Sequence, residues 1–409
     1  MHIKQAAILC GGLGSRLGAL TAETPKPLLP VAGVPFLQTL IQEITRYGVN
    51  RFLLLAAFRS EQIERFAREA PKAIGRDIII EVAIEPDRAG TGGALFHARD
   101  ALDETFYLFN GDSVLDTPLQ ELADLLDQPG ALGAMALRKL PEAGRYGITV
   151  LEGDKLVQFG GAPSAPGPVL INGGVAVFRR EIIDRLEPIG SLEQDLLPSL
   201  AQEGRLMGLP VDGFFLDIGI PEDYERAQTE VPAFQRRPAV FFDRDGVLNV
   251  DHGHVGTLDR FEWNKGALDA IALANARGYY VFIVTNQAGI AKGHYSLEDY
   301  RILSRHVHER VAEHGGRIDD ERFCPDHPEG TVDAYRRVSD WRKPAPGMIL
   351  DLLDKWPVDI AGSLMIGDNE TDMAAARAAG VQGHLFTGGR LDAFLIDLLD
   401  QPSSQGGRR

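Results

Sequence analysis

Carboxylates stand directly after short apolar segments in the C-terminal half of the chain. Asp243 and Asp245 follow the segment Ala239–Phe242, and Asp368 follows Ser363–Ile366. A carboxylate exposed at a strand end can attack phosphorus and form an aspartyl-phosphate. A second one, two residues later, can protonate the leaving oxygen and then deprotonate water. The alternative for Asp243 and Asp245 alone is a calcium-binding or capping DxD sequence.

Two further segments fit the same phosphoryl chemistry. Thr285 and Asn286 place a hydroxyl and an amide at the end of the apolar segment Tyr280–Val284, where they could bind phosphate oxygens. Arg342 and Lys343 offer cations that can neutralise the charges of an aspartate and a phosphoryl group. The four motifs in this order predict phosphoryl transfer to an aspartate.

A glycine-rich turn follows the apolar segment Gln5–Leu9 in the N-terminal half. Its glycines, Gly11, Gly12 and Gly14, let backbone N–H groups approach phosphate closely. We expect the N-terminus of a following helix to add a favourable dipole, and Arg16 to supply a planar cation. The spacing is not GxGxxG, because Leu17 stands where the last glycine would be, so a nicotinamide-linked dehydrogenase is disfavoured.

A lysine and two aspartates complete the N-terminal set of candidates. Lys26 is flanked by Pro25 and Pro27, which limit the backbone freedom of the segment. Asp112 follows the apolar segment Phe106–Phe109, and Asp217 lies much later in the chain. Two such aspartates could hold one Mg²⁺ beside nucleotide phosphates. Taken singly, Lys26 could be a surface lysine and each aspartate a turn cap.

The first 228 residues resemble the sugar nucleotidyltransferases. The resemblance rests on GGLGSRL and TPKPLLPV near the start and on DIGIPEDY near residue 220. The resemblance implies that a sugar-1-phosphate oxygen attacks the α-phosphorus of a nucleoside triphosphate and that pyrophosphate leaves. It assigns Arg16 to the triphosphate, Lys26 to the phosphates at the reacting centre, and Asp112 and Asp217 to Mg²⁺. It also implies nucleotide or sugar contacts by Gly92, Asn172, Gly173 and Glu193.

Residues from about Pro238 to Phe394 resemble the haloacid-dehalogenase superfamily. The stretches DRDGVLNVDHGHV, TNQAGIAKGHY and CPDHPEGTVDAYRRVSDWRKPAPGM are most similar to the D-glycero-D-manno-heptose 1,7-bisphosphate phosphatases, with histidinol-phosphate phosphatases as the nearest competitor. The resemblance implies an Asp243 nucleophile and an Asp245 acid and base. Three groups are expected to hold Mg²⁺, namely Asp243, the backbone carbonyl of Asp245, and Asp368. Asp372 is expected to support the loop.

The sequence departs from these phosphatases in the loop where many of them bind zinc. Cys324 is present, but Asp326, Ser339 and Trp341 occupy the other ligand positions, and His327 is a neighbour. Structural zinc sites need four N or S ligands, so no structural zinc is predicted and the loop is expected to be held by packing. Asn369 also stands where close relatives often have lysine.

Short apolar segments alternate with longer amphipathic ones in both halves, which predicts α/β folds. We expect two Rossmann-like three-layer domains, a mixed sheet and then a parallel sheet, at 1–228 and 239–400. Residues 229–238 form the predicted linker, and 401–409 an expected disordered tail.

The composition limits the possible classes of partner. The net charge of −16 disfavours nucleic acid, and no apolar stretch is long enough for a membrane span. Two cysteines and a start without a signal-peptide pattern favour a cytoplasmic enzyme, with a homo-oligomer possible.

Taken together, the resemblances imply one function. The phosphatase would leave the heptose 1-phosphate that a D-glycero-α-D-manno-heptose 1-phosphate guanylyltransferase consumes, so we predict a bifunctional enzyme of GDP-heptose synthesis, with GTP as the nucleotide. Two alternatives remain. One is another hexose-1-phosphate transferase fused to a different phosphatase, and the other is a binding role for one half.

Overall fold

The computed structural model describes residues 3–12, 14–86, 89–162 and 167–400, and the chain divides into two compact units. Unit 1 ends at Phe234 and unit 2 begins at Gln235. This boundary lies within the predicted linker 229–238, whose residues up to Gln235 are the end of a helix that starts at Pro221. Pro232 obscures that helix in the sequence. The predicted tail, 401–409, lies outside the described residues.

Unit 1 is built on a mixed sheet. Its strands are β1 (Gln5–Leu9), β2 (Pro30–Val31), β3 (Val34–Pro35), β4 (Arg51–Ala56), β5 (Ile79–Ile84), β6 (Thr105–Asn110), β7 (Ser113–Leu115), β8 (Gly133–Leu140), β9 (Ile148–Glu152), β10 (Lys155–Phe159), β11 (Val169–Arg179), β12 (Leu206–Val211) and β13 (Phe215–Asp217). In the described residues the main sheet has the order β5-β4-β1-β6-β11-β8-β12-β10-β9. Strands β5, β4, β1 and β6 are parallel, and β11 is antiparallel to β6 and β8.

Helices cover both faces of this sheet. They are α1 (Phe36–Thr45), α2 (Ser60–Ile74), α3 (Gly90–His97), α4 (Leu119–Asp124), α5 (Leu197–Gln202) and α6 (Pro221–Gln235). Ile8 of β1 packs in one core with α1 and α2, while its neighbour Ala7 packs in the other with α3 and α5. Successive strand residues point to opposite faces, so β1 contributes to both cores of a three-layer unit.

A small antiparallel pair beside the main sheet matters for function. Strand β13 pairs with β7, with Asp217 opposite Ser113, and the amide of Ile218 donates to the carbonyl of Asp112. This pairing brings together two aspartates that are more than a hundred residues apart in sequence.

Unit 2 is a parallel sheet with helices on both faces. Its strands are β14 (Ala239–Phe242), β15 (Tyr280–Asn286), β16 (Asp320–Cys324), β17 (Leu364–Gly367) and β18 (Gln382–Leu385), in the order β16-β15-β14-β17-β18. Its helices are α7 (Ala267–Ala276), α8 (Ala288–Ala291), α9 (Leu297–Glu313), α10 (Gly347–Lys355), α11 (Glu370–Ala378) and α12 (Leu391–Leu399). Because the strands are parallel, the carboxyl ends of β14, β15 and β17 meet at one edge, where ligands bind in such sheets.

The predicted strands lie where the structure has strands, but several are longer than predicted. The apolar segment Phe106–Phe109 is the middle of β6, and Tyr280–Val284 is the start of β15. These strands continue through residues with mixed polarity, so an apolar run marks only their buried part.

Candidate active sites

The glycine turn of unit 1 does not lead into an α-helix. Residues Ser15–Thr21 form a 3-10 helix that is interrupted at Gly18, where φ is +57°. The predicted helix dipole is therefore wrong, because the chain leaves helical geometry within one turn. Gly14 has a φ of +61°, and a Cβ there would lie 2.8 Å from a methyl carbon of Thr21, so the turn requires glycine. Arg16 is exposed on this 3-10 helix.

Lys26 lies between the two aspartates predicted for unit 1. Its Nζ is 2.5 Å from Asp112 Oδ2 and 3.8 Å from Asp217 Oδ1. The segment Lys26–Leu28 is a 3-10 turn with buried Lys26, so the lysine is not the surface residue of the alternative interpretation. A Cβ at Gly219 would lie 2.7 Å from Asp217 Oδ1 and 3.1 Å from Lys26 Nζ. The backbone at Gly219 thus closes one side of this polar site.

Arg145 and Tyr146 also contact Asp217, and neither was predicted from the sequence. Arg145 bridges Asp217 Oδ2 (3.1 Å) and Asp223 Oδ2 (2.7 Å), and the Tyr146 hydroxyl lies 3.4 Å from Asp217 Oδ2. Burial and the charge of Asp217 raise the pKa of Tyr146 to about 12, so its hydroxyl stays protonated. An arginine and a tyrosine between two glycines, in GRYG, was the available signal.

A cleft next to the carboxyl end of β6 contains the predicted sugar-contacting residues. Its polar lining includes Asn110, Asn172 and Glu193. Glu193 accepts hydrogen bonds from Thr91 (2.7 Å) and Ser191 (3.0 Å), which fix its carboxylate at the rim.

Two of the predicted glycines lie close to neighbouring atoms. A Cβ at Gly173 would lie 2.3 Å from a methyl carbon of Leu115, and one at Gly92 would lie 3.2 Å from the carbonyl oxygen of Gly190. Gly11 is partly buried and Gly12 is exposed at the end of β1. The packing therefore leaves no room for a side chain at Gly173, whereas a Cβ at Gly12 would meet nothing within 4 Å.

The polar centre of unit 2 contains Asp243, Asp368 and Asp372, whose ligand oxygens lie within 4.8 Å of one another. Lys343 is buried against them: its Nζ is 2.9 Å from Asp243 Oδ1, 2.7 Å from Asp372 Oδ1 and 2.8 Å from the carbonyl oxygen of Val284. The ammonium group thus lies within 3 Å of three oxygen atoms, two of them in carboxylates. The three carboxylates could hold a metal ion, with Lys343 fixing the two buried ones.

Burial sets the electrostatics of this centre. It raises the pKa of Asp243 to about 7, with Lys343 opposing the shift and Asp372 adding to it. Burial and Asp372 also raise the pKa of Asp368. The attraction of both aspartates outweighs burial at Lys343 and raises the pKa of its ammonium group, so this lysine stays charged. A nucleophile with a raised pKa is a feature of functional sites.

Asp372 supports the loop, as expected. It is the third residue of α11, and its Oδ2 accepts from the backbone N–H of Asn369 at 3.1 Å in a capping box. Asn369 therefore caps this helix.

Asp245 lies two residues after the nucleophile candidate and outside the group of three carboxylates. Its oxygens accept hydrogen bonds from Arg244 Nη2 (2.8 Å), Asn249 Nδ2 (3.0 Å) and Gln287 Nε2 (2.9 Å). The carboxylate is thus fixed by a buried arginine and two amides.

The other predicted phosphate-binding residues differ in what they contact. Thr285 is buried at the end of β15. Asn286 uses its amide on the backbone of Lys343, donating to the carbonyl and accepting from the N–H, both at 3.0 Å. Asn286 thus positions Lys343, and its contact with phosphate stays a prediction. Arg342 is partly buried, and its Nη1 reaches the carbonyl oxygen of Asp326 at 3.5 Å.

The loop between β16 and Lys343 is held by an ion pair and packing. Asp326 Oδ2 lies 2.9 Å from Arg337 Nε, and the N–H of His327 donates to the carbonyl of Tyr335 at 3.0 Å. Trp341 packs against the core that contains Cys324.

Comparisons with known proteins identify both units. Residues 5–233 match the family model described as nucleotidyl transferase, and residues 340–402 match one described as HAD-hydrolase-like. The D-glycero-beta-D-manno-heptose-1,7-bisphosphate 7-phosphatase of Rhodopseudomonas palustris is 52% identical over 164 residues, which are 40% of this chain and 91% of that protein. The chain belongs to the nucleotidyl transferase family and, in unit 2, to the family of these phosphatases.

Two other similarities concern unit 1 of this nucleotidyltransferase–phosphatase fusion. The mannose-1-phosphate guanylyltransferase catalytic subunit beta of Xenopus tropicalis is 33% identical over 227 residues, covering 54% of this chain and 62% of that protein. The crystal structure of HddC from Yersinia pseudotuberculosis is 26% identical, covers 56% of this chain and 99% of that chain, and has a TM-score of 0.49.

These findings confirm the predictions of two α/β domains and of a transferase joined to a phosphatase. Among the described helices, none has the length and apolar character that a membrane crossing needs.

Proposed function

We propose that the chain catalyses two consecutive steps of GDP-heptose synthesis. Unit 2 removes the 7-phosphate from D-glycero-D-manno-heptose 1,7-bisphosphate, and unit 1 transfers GMP from GTP to the resulting heptose 1-phosphate and releases pyrophosphate. The observation that carries the proposal is the 52% identity of unit 2 to a heptose bisphosphate 7-phosphatase on the same chain as a nucleotidyltransferase. The 1-phosphate that such a phosphatase leaves is the nucleophile that such a transferase needs.

The donor sets of both units fit Mg²⁺. In unit 1, Asp217 Oδ1 is buried and accepts no hydrogen bond from the described residues, while the Lys26 ammonium lies in the same space. Asp112 and Asp217 would hold the ion there, and in unit 2 Asp243, Asp368 and the carbonyl of Asp245 would do so. Bound Mg²⁺ would neutralise phosphate charge in each site.

In unit 1 the protein orients two substrates and does not attack either. Lys26 lies beside the metal-binding aspartates and would contact the phosphates at the reacting centre, while Arg16 would contact the outer phosphates of GTP. The cleft with Asn172 and Glu193 would bind the sugar hydroxyls. This reaction needs no protein nucleophile, so positioning and charge stabilisation account for catalysis.

In unit 2, Asp243 would form a bond to phosphorus while the bond from phosphorus to the C7 oxygen breaks. Its Oδ1 is fixed by Lys343 and by the N–H of Arg244 (2.7 Å), so the carboxylate is oriented before substrate binds. Asp245 would give a proton to the leaving oxygen and then take one from the attacking water. Thr285 and Arg342 would bind the phosphoryl oxygens.

We further propose that unit 2 needs no structural zinc. Arg337 supplies the positive charge next to Asp326 in the loop, and Cys324 lies within the core. Metal analysis of the purified protein tests this point, and one equivalent of tightly bound zinc would contradict it.

A substrate panel tests the proposed function. Phosphate release is measured with both anomers of the heptose bisphosphate and with histidinol phosphate. Pyrophosphate release is measured with heptose 1-phosphate or mannose 1-phosphate and each nucleoside triphosphate. The proposal expects the highest kcat/KM for heptose substrates and GTP, and a preference of either unit for another substrate would refute that assignment.

A further inference from the structure

Gln287 makes hydrogen bonds with every donor and acceptor of its side-chain amide. Its Nε2 donates to Asp245 Oδ2 (2.9 Å) and to Thr285 Oγ1 (2.8 Å). Its Oε1 accepts from the hydroxyl of Tyr295 (2.6 Å) and from Arg244 Nη2 (3.2 Å). Because only donors face the oxygen, the NH₂ group must face Asp245 and Thr285. The amide therefore links the candidate acid and base to the candidate phosphate-binding hydroxyl.

Tyr295 is packed so closely that its hydroxyl has little freedom. A Cβ at Gly256 would lie 2.1 Å from Tyr295 Cγ, and one at Gly289 would lie 2.2 Å from Cε1, so the ring is enclosed between two glycines. Ser296, the next residue, caps α9 through a capping box with Asp299 and fixes the chain on the other side. Burial raises the pKa of the Tyr295 phenol, so the hydroxyl remains a donor.

A phenylalanine would fill the same space between the glycines without a buried hydroxyl. A buried hydroxyl is unfavourable unless it is hydrogen-bonded, and here it bonds to the amide that holds Asp245. The hydroxyl therefore acts on the site through its contact with Gln287.

We propose that Tyr295 is a positioning residue for the phosphatase reaction: through Gln287 it orients Asp245 to protonate the leaving oxygen. The inference rests on the proposed function of unit 2. As the bond from Asp243 to phosphorus forms and the bond from phosphorus to the sugar oxygen breaks, the proton of Asp245 passes to that oxygen. A loosely held Gln287 lets Asp245 turn away from this position.

The test compares leaving groups in the full chain. An alkoxide leaving group needs a proton, whereas p-nitrophenolate leaves without one, so misplacing the acid should affect only the former. For Tyr295→Phe we expect kcat/KM to fall roughly tenfold with the heptose bisphosphate and less than about twofold with p-nitrophenyl phosphate. Equal losses with both substrates, or no loss with either, would overturn the inference.

Two controls complete the experiment. Tyr279 precedes β15, at the opposite end of that strand from Thr285, and Tyr279→Phe should leave both substrates unaffected. In a Gln287→Ala background, Tyr295→Phe should cause no further loss of activity, because the hydrogen bond between these two residues is already absent. If the losses from the two substitutions added up, Tyr295 would not act through Gln287. If the wild type releases phosphate from neither substrate, the proposed function of unit 2 fails, and the inference fails with it. An active wild type without the leaving-group difference refutes the inference alone.

Discussion

Both active sites place a lysine between two aspartates, but they bury it to different degrees. In unit 1, the side chains of Lys26, Asp112 and Asp217 are 11%, 33% and 19% exposed. In unit 2, those of Lys343 and Asp372 are only 2% and 1% exposed, and that of Asp243 is 12% exposed. The same three groups therefore lie in water-accessible surroundings in one unit and in a nearly dry environment in the other.

The difference in burial matches the difference in chemistry. A transferase whose two substrates react with each other needs room for both, and an open site provides it. A phosphatase whose own carboxylate attacks phosphorus gains from a fixed nucleophile and a nearby cation that water does not screen. We therefore expect Lys343 to be essential for the structure of its site, and Lys26 to act mainly by contacting the substrate phosphates.

The largest expected effect separates the two reactions. Asp243→Asn should lower phosphate release by more than about 10³-fold, because the amide cannot attack phosphorus, and should leave pyrophosphate release from GTP and heptose 1-phosphate unchanged. Asp112→Asn should do the reverse. Continuous assays of both products measure this, and phosphate release at the wild-type rate from Asp243→Asn would exclude it as the nucleophile.

The next effect compares the two lysines by stability. Lys343→Met leaves buried aspartates without their cation and should cost about 3–5 kcal/mol of unfolding free energy in unit 2. Lys26→Met should cost much less in unit 1, because its partners are more exposed and water screens them. Scanning calorimetry of chelator-treated protein measures both, and equal losses would show that burial does not distinguish the sites.

A pH series sharpens the comparison in unit 2. The folded-state pKa of Asp243, about 7, lies above that of an unfolded aspartate. Its stabilising contribution is thus complete below about pH 4 and is lost as the pH rises towards 7. In chelated protein, the wild type should lose stability relative to Asp243→Asn between about pH 5 and pH 8, and Mg²⁺ should stabilise it more at the higher pH. If the unfolding free energies of the two proteins changed with pH in parallel, the raised pKa of Asp243 would be contradicted.

The smallest effects concern the residues around Asp217. Arg145→Met should lower guanylyl transfer about tenfold, because Asp217 loses a charged hydrogen bond that orients it. Tyr146→Phe should lower it only about twofold, since that contact is long at 3.4 Å. Initial rates of pyrophosphate release measure both effects. A larger loss of rate in Tyr146→Phe than in Arg145→Met would contradict the assignment of Arg145 as the more important contact of Asp217.

The sequence predicted the features that depend on local pattern. Apolar strands followed within three residues by Asp243, Asp112 and Asp368 place carboxylates near strand ends whatever the rest of the fold does. The turn after Gly14 was predicted wrongly, because Gly18 adopts a positive φ that stops the helix.

Features that depend on distant contacts could not be predicted in this way. Arg145 reaches Asp217 only because β7 and β13 pair, and Gln287 reaches Asp245 only across two strands. The sequence predicted phosphate binding by Asn286, and the structure adds hydrogen bonds between its side-chain amide and the backbone of Lys343. The residue type at a strand end therefore indicates which chemistry is possible. Tertiary contacts then determine which of these side chains can take part in it.

The most direct test of the central claim, that unit 2 makes the substrate of unit 1, is a single ³¹P NMR time course. The full chain is given heptose 1,7-bisphosphate, GTP and Mg²⁺, and phosphate, pyrophosphate and the sugar phosphates are followed together. We predict that phosphate appears first and pyrophosphate follows to an equal amount, and that Asp243→Asn forms neither until heptose 1-phosphate is added. Pyrophosphate formed from the bisphosphate by Asp243→Asn at the wild-type rate would contradict the claim.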